Sequence, residues 1–283
     1  ATVSMKLDSS NSPIYLPEPS QESVLRLGFE NCRNDEWISA ADDLSLFNRH
    51  KRELKHMAAV TCYAEIAGSK NAQTEFHDFL LQHLLQNPDL GYRTEGTKLI
   101  QQKEDLVWDI EEKNLWPASL WVAEDICLLE HRDGDFIMTA ASVCSPSNWF
   151  LEDKIGQTVD VIHAPVPGYE KALSQRVNRF LHGLRSGRVM LRYNWSIQRG
   201  NELCLREKGM PATNPIDSSD SDLYWRVERQ TFTRLSKSGA IAFSIKIFLH
   251  GFDSLRHRED FTESMERLLS RLPEAEKQYK NLA

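Results

Sequence analysis

Alternation of apolar and polar side chains marks three segments: RVMLRYNWSIQ (188–198), YWRVERQTFTRL (224–235) and AIAFSIKIFL (240–249). Successive side chains of a strand point to opposite faces of a sheet, so this period of two predicts three β-strands. Segments 120–130 and 135–143 have the same character, and the turn dipeptide Asp133-Gly134 joins them. The five segments together predict an antiparallel sheet.

Helical patterns surround these strands. A helix is predicted over 168–184, where Leu173, Val177 and Leu184 share one face. Further helices are predicted over 258–272 and in the N-terminal part 46–86, at 46–67 and 73–86. The polar segment 146–167 is predicted to be irregular. The chain order is two strands, an irregular-plus-helical crossover, then three strands. It favours an α+β, PAS-like fold: a five-stranded antiparallel sheet with helices on one face, here extended by N-terminal helices.

The domain organisation follows from these patterns. Residues 1–24 are predicted to form an extended arm, because 8–20 are rich in Ser, Pro and Asn. Residues 25–283 are interpreted as a single domain. The segment 200–222, rich in Ser, Asp and Pro, is predicted to be a loop.

Composition excludes several classes of protein. The net charge of −7 over 283 residues argues against nucleic acid or an anionic membrane as the main partner. The chain has no apolar run near the roughly 20 residues that a membrane helix needs, and its N-terminus has no signal-peptide pattern. The five cysteines are widely spaced and form no CxxC or CxxH pair, which indicates a reducing, cytoplasmic setting without a structural zinc or iron–sulfur site.

His163 is the strongest candidate for a metal ligand. It follows the apolar Val161-Ile162 and precedes Pro165 and Pro167, so its imidazole is expected to be held in place. The competing interpretation is a buried histidine that hydrogen-bonds a carbonyl group. If the chain binds a metal, one histidine favours haem over bare zinc, because the porphyrin supplies the other nitrogens. His50, His77 and His182 are predicted to face solvent.

Polar residues on the neighbouring predicted strands form a second candidate site. Arg192 and Asn194 lie opposite the apolar row of their strand, while Arg226, Glu228 and Gln230 share one side of the next. If these strands pair, Glu228 and Arg192 come close on one face. Glu228 then suits binding of an ammonium group, and Arg192 suits polarising oxygen or anchoring a propionate. The alternative is a cross-strand ion pair on an exposed face.

Three common cofactor-binding and catalytic motifs are missing from the sequence. It has no GxGxxG, no P-loop and no GxSxG, so dinucleotide binding, nucleotide hydrolysis and serine-hydrolase chemistry have no support.

Five longer strings resemble a known family, the alpha subunit of haem-dependent oxidative N-demethylase and its relatives. In chain order they are LWVAEDICLL (120–129), CSPSNWFLEDKIG (144–156), IHAPVPGY (162–169), RYNWSI (192–197) and RVERQTFTRLSKSGAIAFSIK (226–246). The resemblance covers roughly Leu25 to Phe252.

This resemblance implies a haem enzyme with a PAS-type fold that oxidises a small amine with oxygen, as an N-demethylase or related monooxygenase. It implies His163 as the proximal iron ligand and assigns Arg192 and Glu228 to the distal side, around oxygen and amine. It also implies electrons from NAD(P)H through a separate flavin and iron–sulfur partner. Two other hypotheses remain: a haem-based sensor or ligand-binding module without turnover, and an assembly subunit that has lost haem.

Overall fold

The computed structural model describes residues 13–17, 27–40, 42–166, 168–206 and 222–280. Much of the predicted arm 1–24 and of the predicted loop 200–222 lies outside these residues. The strands are β1 Glu30–Cys32, β2 Tyr63–Glu65, β3 Tyr92–Glu95, β4 Lys98–Gln101, β5 Leu106–Asp109, β6 Asp125–Arg132, β7 Asp135–Ser142, β8 Val189–Arg199, β9 Leu223–Arg234 and β10 Ile241–Gly251. The helices are α1 Leu44–Lys55, α2 Lys70–Gln86, α3 Leu115–Ser119, α4 Leu151–Lys154, α5 Val159–His163, α6 Tyr169–Ala172, α7 Ser174–Gly183, α8 Phe252–Leu255, α9 Glu259–Arg271 and α10 Glu274–Tyr279.

A large antiparallel sheet forms the centre of this mixed α+β fold. In the described part of the chain it has seven strands in the order β1-β8-β9-β10-β6-β7-β2, and β3-β4-β5 form a separate three-stranded sheet. The five predicted strands are the five central ones. The prediction of five strands in all was wrong, because the three-residue strands β1 and β2 extend the two edges.

Two predicted boundaries were also wrong. The segment 120–124 is not a strand. A short helix, α3, comes before it, and the Asn114 side chain caps that helix by accepting a hydrogen bond from the backbone N–H of Trp116. The N-terminal helical stretch ends at Lys55 and is followed by strand β2.

Other local predictions agree with the structure. Asp133 and Gly134 both have positive φ, 52° and 96°, as a two-residue hairpin turn between β6 and β7 requires. The predicted helix over 168–184 is present but broken into α6 and α7. The predicted closing helix over 258–272 corresponds to α9.

Helices cover both faces of the large sheet, whereas the sequence predicted them on one. On one face, here called the α2 face, Ile126 and Leu128 pack in a core with Phe47 of α1 and Phe76 of α2. On the opposite face, the α5 face, a core joins strands β6, β7, β9 and β10 to helices α4, α5 and α7. Its buried members are Cys127, Leu129, Phe136, Met138, Ala141, Val143, Leu151, Val159, Leu181, Leu184, Phe232 and Ile241. The reason is that β6 carries apolar side chains on both faces: Ile126 and Leu128 on one, Cys127 and Leu129 on the other. Both faces of the sheet must therefore be buried under helices.

The C-terminal helices close the outer part of the sheet. Trp195 and Trp225 stack with ring centroids 4.7 Å apart, and Phe261 of α9 contacts Trp225 edge-on. None of the helices that the structure describes is both long and apolar enough to cross a bilayer.

Candidate functional site

His163 is the last residue of the short helix α5. Thr158 caps that helix, because its side-chain oxygen accepts a hydrogen bond from the backbone N–H of Val161 at 3.3 Å. The Nδ1 of His163 lies 2.8 Å from the carbonyl oxygen of Val159, one turn earlier. A carbonyl only accepts, so Nδ1 carries the proton and Nε2 keeps its lone pair. The predicted setting in an irregular segment was wrong, and Pro167 lies outside the described residues, but the imidazole is held by the helix itself.

The surroundings of His163 keep its ring neutral. Desolvation lowers the pKa of the imidazole below its usual value, and the positive charge of Arg192 acts in the same direction, against the hydrogen bond to Val159. The ring stacks on Tyr169, with centroids 5.0 Å apart and planes 14° apart. A neutral imidazole with a fixed Nδ1–H is the form that binds metals.

Asp160 fixes this helix against its neighbours. Its Oδ1 accepts hydrogen bonds from the Tyr169 hydroxyl and from Ser174 Oγ, both at 3.0 Å, and its Oδ2 accepts one from Asn178 at 3.0 Å. Burial and the bond to Asp160 raise the pKa of Tyr169, so the phenol stays a donor. Helices α5, α6 and α7 are therefore joined through one carboxylate, and the position of His163 depends on it.

The other two predicted residues, Arg192 and Glu228, lie on the α5 face of the sheet. Strands β8 and β9 pair with Arg192 opposite Gln230 and with Asn194 opposite Glu228. In the same register Met190 lies opposite Phe232, and both belong to the core that packs on α5 and α7. Alternation then places Arg192 and Glu228 on that face as well. They share a face, as predicted, but the direct cross-strand partner of Glu228 is Asn194.

Glu228 is held by two side-chain amides. Its Oε2 accepts hydrogen bonds from Asn194 Nδ2 at 3.1 Å and from Gln230 Nε2 at 2.9 Å. Its Oε1 lies 4.0 Å from Nε of Arg226. Because both amides donate to the same oxygen, Oε1 can still accept a hydrogen bond from a further donor.

Two neighbouring atoms are buried without a hydrogen-bond partner among the described residues: Nε of Arg226 and Oε1 of Gln230. Arg226 is fully buried, and its terminal nitrogens donate to Gln198 Oε1 and to the carbonyl oxygens of Ser145 and Leu203. An unsatisfied buried donor and acceptor beside one carboxylate are unfavourable unless a ligand or water pairs with them. This part of the α5 face therefore has the polarity of a binding site.

Arg192 lies on the same face of the sheet as Glu228. Its guanidinium carbon is 6.0 Å from the centroid of the Phe29 ring. Its positive charge lowers the pKa of both His163 and Lys280. The structure thus brings the three predicted residues, His163, Arg192 and Glu228, to one face of the sheet.

Other residues of the site were not predicted to act there. Asn194, Arg226 and Gln230 were recognised only as sharing a side of their strands, and the alternation itself was the available signal. Lys280 was missed altogether. It is 86 residues from Asn194, whose Oδ1 it contacts at 2.8 Å, and no local pattern indicates such a contact.

The remaining histidines show where local patterns mislead. His182 is exposed, as predicted. His50 and His77 are 7% and 1% exposed, so their predicted solvent exposure was wrong. Both lie on helices with charged neighbours, but each ring faces the packed side: Nε2 of His50 contacts the carbonyl oxygen of Cys144 at 2.7 Å.

The donor set decides which cofactor suits the site. Within the described ranges, no group of three or more His, Cys, Asp and Glu side chains is arranged to hold a metal ion. A bare zinc ion needs three or four such ligands, whereas haem iron needs one axial side chain. His163, with Nδ1 bonded to Val159 and a lowered pKa, offers the single neutral nitrogen that haem requires.

A comparison with known families agrees with this donor chemistry. The family model described as haem-dependent oxidative N-demethylase, alpha subunit-like, matches residues 28–283, and the match includes His163, Arg192 and Glu228. The chain therefore belongs to the haem-dependent oxidative N-demethylase, alpha subunit-like family.

Proposed function

We propose that this protein is a haem-dependent oxidoreductase that oxidises a small amine with oxygen, most closely as an N-demethylase. The observation that carries the proposal is the His163 geometry within a chain of this family: a neutral imidazole with Nδ1 bonded to Val159 at 2.8 Å and Nε2 available. His163 would hold the iron. The finer PAS-like assignment is part of this proposal and is supported by the five central antiparallel strands.

Haem, when bound, supplies the activation of oxygen, and the residues of the chain supply binding and proton handling. Glu228 Oε1 binds the ammonium group of the substrate and accepts a proton from it, because Oε2 is already bonded by two amides. Gln230 Oε1, buried without a partner among the described residues, gives a second acceptor for an N–H of the amine. Arg192 supplies a permanent cation on the same face, which would stabilise negative charge that develops on oxygen.

Electrons are proposed to come from NAD(P)H through a separate flavin and iron–sulfur partner. The alpha subunit-like description of the family supports a chain that works with other subunits. When one atom of O2 enters the substrate and the other is reduced to water, two further electrons are required, and such a partner would supply them.

The first prediction tests the iron ligand. His163→Ala is expected to abolish or severely weaken haem binding, because the iron loses its protein nitrogen while the porphyrin keeps only apolar and propionate contacts. The measurement is the Soret absorbance of protein reconstituted with one equivalent of haem. His182→Ala is the matched control, since His182 is an exposed histidine on the adjacent helix α7.

Retention of a wild-type Soret band in His163→Ala would show that another residue holds the iron. A wild-type protein that binds no haem would instead identify an assembly subunit. Haem binding without amine-dependent oxygen consumption, in the presence of a reductant, would identify a sensor or ligand-binding module.

A further inference from the structure

Lys280 is a buried cation at the end of the last described helix, α10. It is 4% exposed. Its Nζ donates hydrogen bonds to Asn194 Oδ1 at 2.8 Å and to the carbonyl oxygen of Trp195 at 2.5 Å, and lies 4.9 Å from the centroid of the Trp195 ring. A buried ammonium group is stable only with such partners. One of those partners, Asn194, also donates a hydrogen bond to Glu228.

The chemistry of an ammonium group determines which way the Asn194 amide points. An ammonium only donates hydrogen bonds, so the amide must turn its oxygen towards Lys280. The amide nitrogen then faces Glu228 and donates to Oε2 at 3.1 Å. In the opposite orientation two donors would meet at Lys280 and two acceptors at Glu228, which is unfavourable at both ends.

We propose that Lys280 is a positioning residue for Glu228: by fixing the Asn194 amide, it holds Glu228 with Oε2 occupied and Oε1 directed to the substrate. The inference rests on the proposed role of Glu228 in amine binding. It assigns to the C-terminal helix a part in completing the site on the sheet. Gln230 donates to the same Oε2 at 2.9 Å, so both amides act on one oxygen.

The charges around Lys280 make this arrangement sensitive to pH. Burial lowers the pKa of Lys280 to about 8; the negative charges of Glu228 and Glu276 oppose that shift, and the positive charge of Arg192 adds to it. Below this pH the ammonium enforces the amide orientation. Above it, the neutral amine accepts as well as donates hydrogen bonds, so the orientation of Asn194 is no longer enforced.

A titration that needs no turnover tests the coupling directly. In protein with lysines labelled with carbon-13 at Cε, the Lys280 signal, assigned by its loss in Lys280→Arg, is expected to titrate near pH 8. Glu228→Gln should lower that midpoint by about 0.5 or more, because the carboxylate stabilises the ammonium. A midpoint that Glu228→Gln leaves unchanged would overturn the proposal.

Kinetics test the consequence for substrate. Lys280→Met is expected to lower kcat/KM for the amine about tenfold at pH 7, because Glu228 loses its fixed geometry. In wild type, kcat/KM should fall above pH 8; in Lys280→Arg this decline should move to higher pH, because a guanidinium stays protonated. Lys277→Met is the control, since Lys277 lies on the same helix and pairs with Glu274 at 3.8 Å instead.

Combined variants separate positioning from a purely structural role. If Lys280 acts through Asn194, the double variant Asn194→Leu with Lys280→Met should be no slower than Asn194→Leu alone. Additive losses would overturn the proposal. If Lys280→Met does not fold, the pH profile of Lys280→Arg and the titration decide. If wild type turns over no amine, the proposed function fails, while the titration still decides the coupling of Lys280 to Glu228.

Discussion

The two faces of the large sheet bury charged side chains in different ways. On the α2 side, Lys51 of α1 is fully buried, and its Nζ donates to the carbonyl oxygens of Ser119, Val122 and Glu124 at 2.9, 3.1 and 2.5 Å. All three acceptors are backbone atoms in the connection from α3 to β6. The ammonium group therefore fastens a turn of the main chain, and its three donor positions are used.

On the α5 side, the Glu228 carboxylate is bonded by other side chains. Lys280 contacts Asn194, Asn194 contacts Glu228, and Gln230 contacts the same carboxylate. Two atoms close by, Gln230 Oε1 and Arg226 Nε, have no hydrogen-bond partner in the described part of the chain. Networks of side chains can rearrange when a ligand binds, because each side chain can change its rotamer. We therefore expect substitutions of these buried groups to act on stability on the α2 side and on ligand binding on the α5 side.

The largest effect is expected on the α2 side, where Lys51 binds backbone carbonyl groups. Lys51→Met should lower the free energy of unfolding by about 3 kcal/mol or more, because three buried carbonyl groups lose their common donor. Urea unfolding followed by tryptophan fluorescence measures it. Arg49→Met, an exposed cation on the same helix, should leave the midpoint unchanged. An equal midpoint in Lys51→Met and wild type would show that Lys51 has no stabilising role.

Glu228→Gln tests the opposite side and should leave the fold intact. The substituted amide keeps a carbonyl oxygen for the donors Asn194 and Gln230, so urea unfolding should change little. Amine turnover should fall by about 100-fold or more, because an amide can neither pair with an ammonium group nor accept its proton. Steady-state kinetics on haem-loaded protein measure this.

The control for Glu228→Gln is Glu30→Gln, which changes an exposed carboxylate on the edge strand β1. Turnover at the wild-type rate in Glu228→Gln would remove the carboxylate from the mechanism. A large loss of stability in that variant would remove the contrast between the two faces.

Strand alternation located more residues of the candidate site than any other feature of the sequence. It gave β8, β9 and β10 to within two residues and placed Arg192, Asn194, Glu228 and Gln230 on one side of their strands. Alternation is a local property, with one side chain per face, so two paired strands suffice to bring these residues together.

Features that depend on distant contacts were not predicted. The edge strands β1 and β2 have three residues each, too few to show a period, and β3, β4 and β5 are short and partly charged. His77 looked exposed because of its neighbours in the sequence, but α2 packs it against Trp121, with ring centroids 4.9 Å apart. Lys280 reaches the site through contacts with Asn194 and Trp195, 86 and 85 residues earlier in the chain, which no periodicity reveals.

The smallest expected effect concerns Arg192, which is proposed to act on oxygen while Glu228, on the same face, acts on the amine. Arg226 is fixed by three hydrogen bonds to its surroundings, and its substitution should reduce stability. Arg192 is half-buried, and its charge acts on His163 and Lys280. Arg192→Ala is therefore expected to slow the reaction of the reduced haem protein with oxygen about tenfold, because the cation that stabilises developing negative charge is gone. The amine Kd should change less, since Glu228 binds the ammonium group.

Stopped-flow absorbance with oxygen and an equilibrium titration with amine measure the two quantities. The control is Arg199→Ala, because Arg199 lies on the same strand and pairs with Asp222. If Arg192→Ala weakens amine binding more than it slows the reaction with oxygen, the guanidinium serves the substrate and the proposed division of roles between Arg192 and Glu228 is wrong.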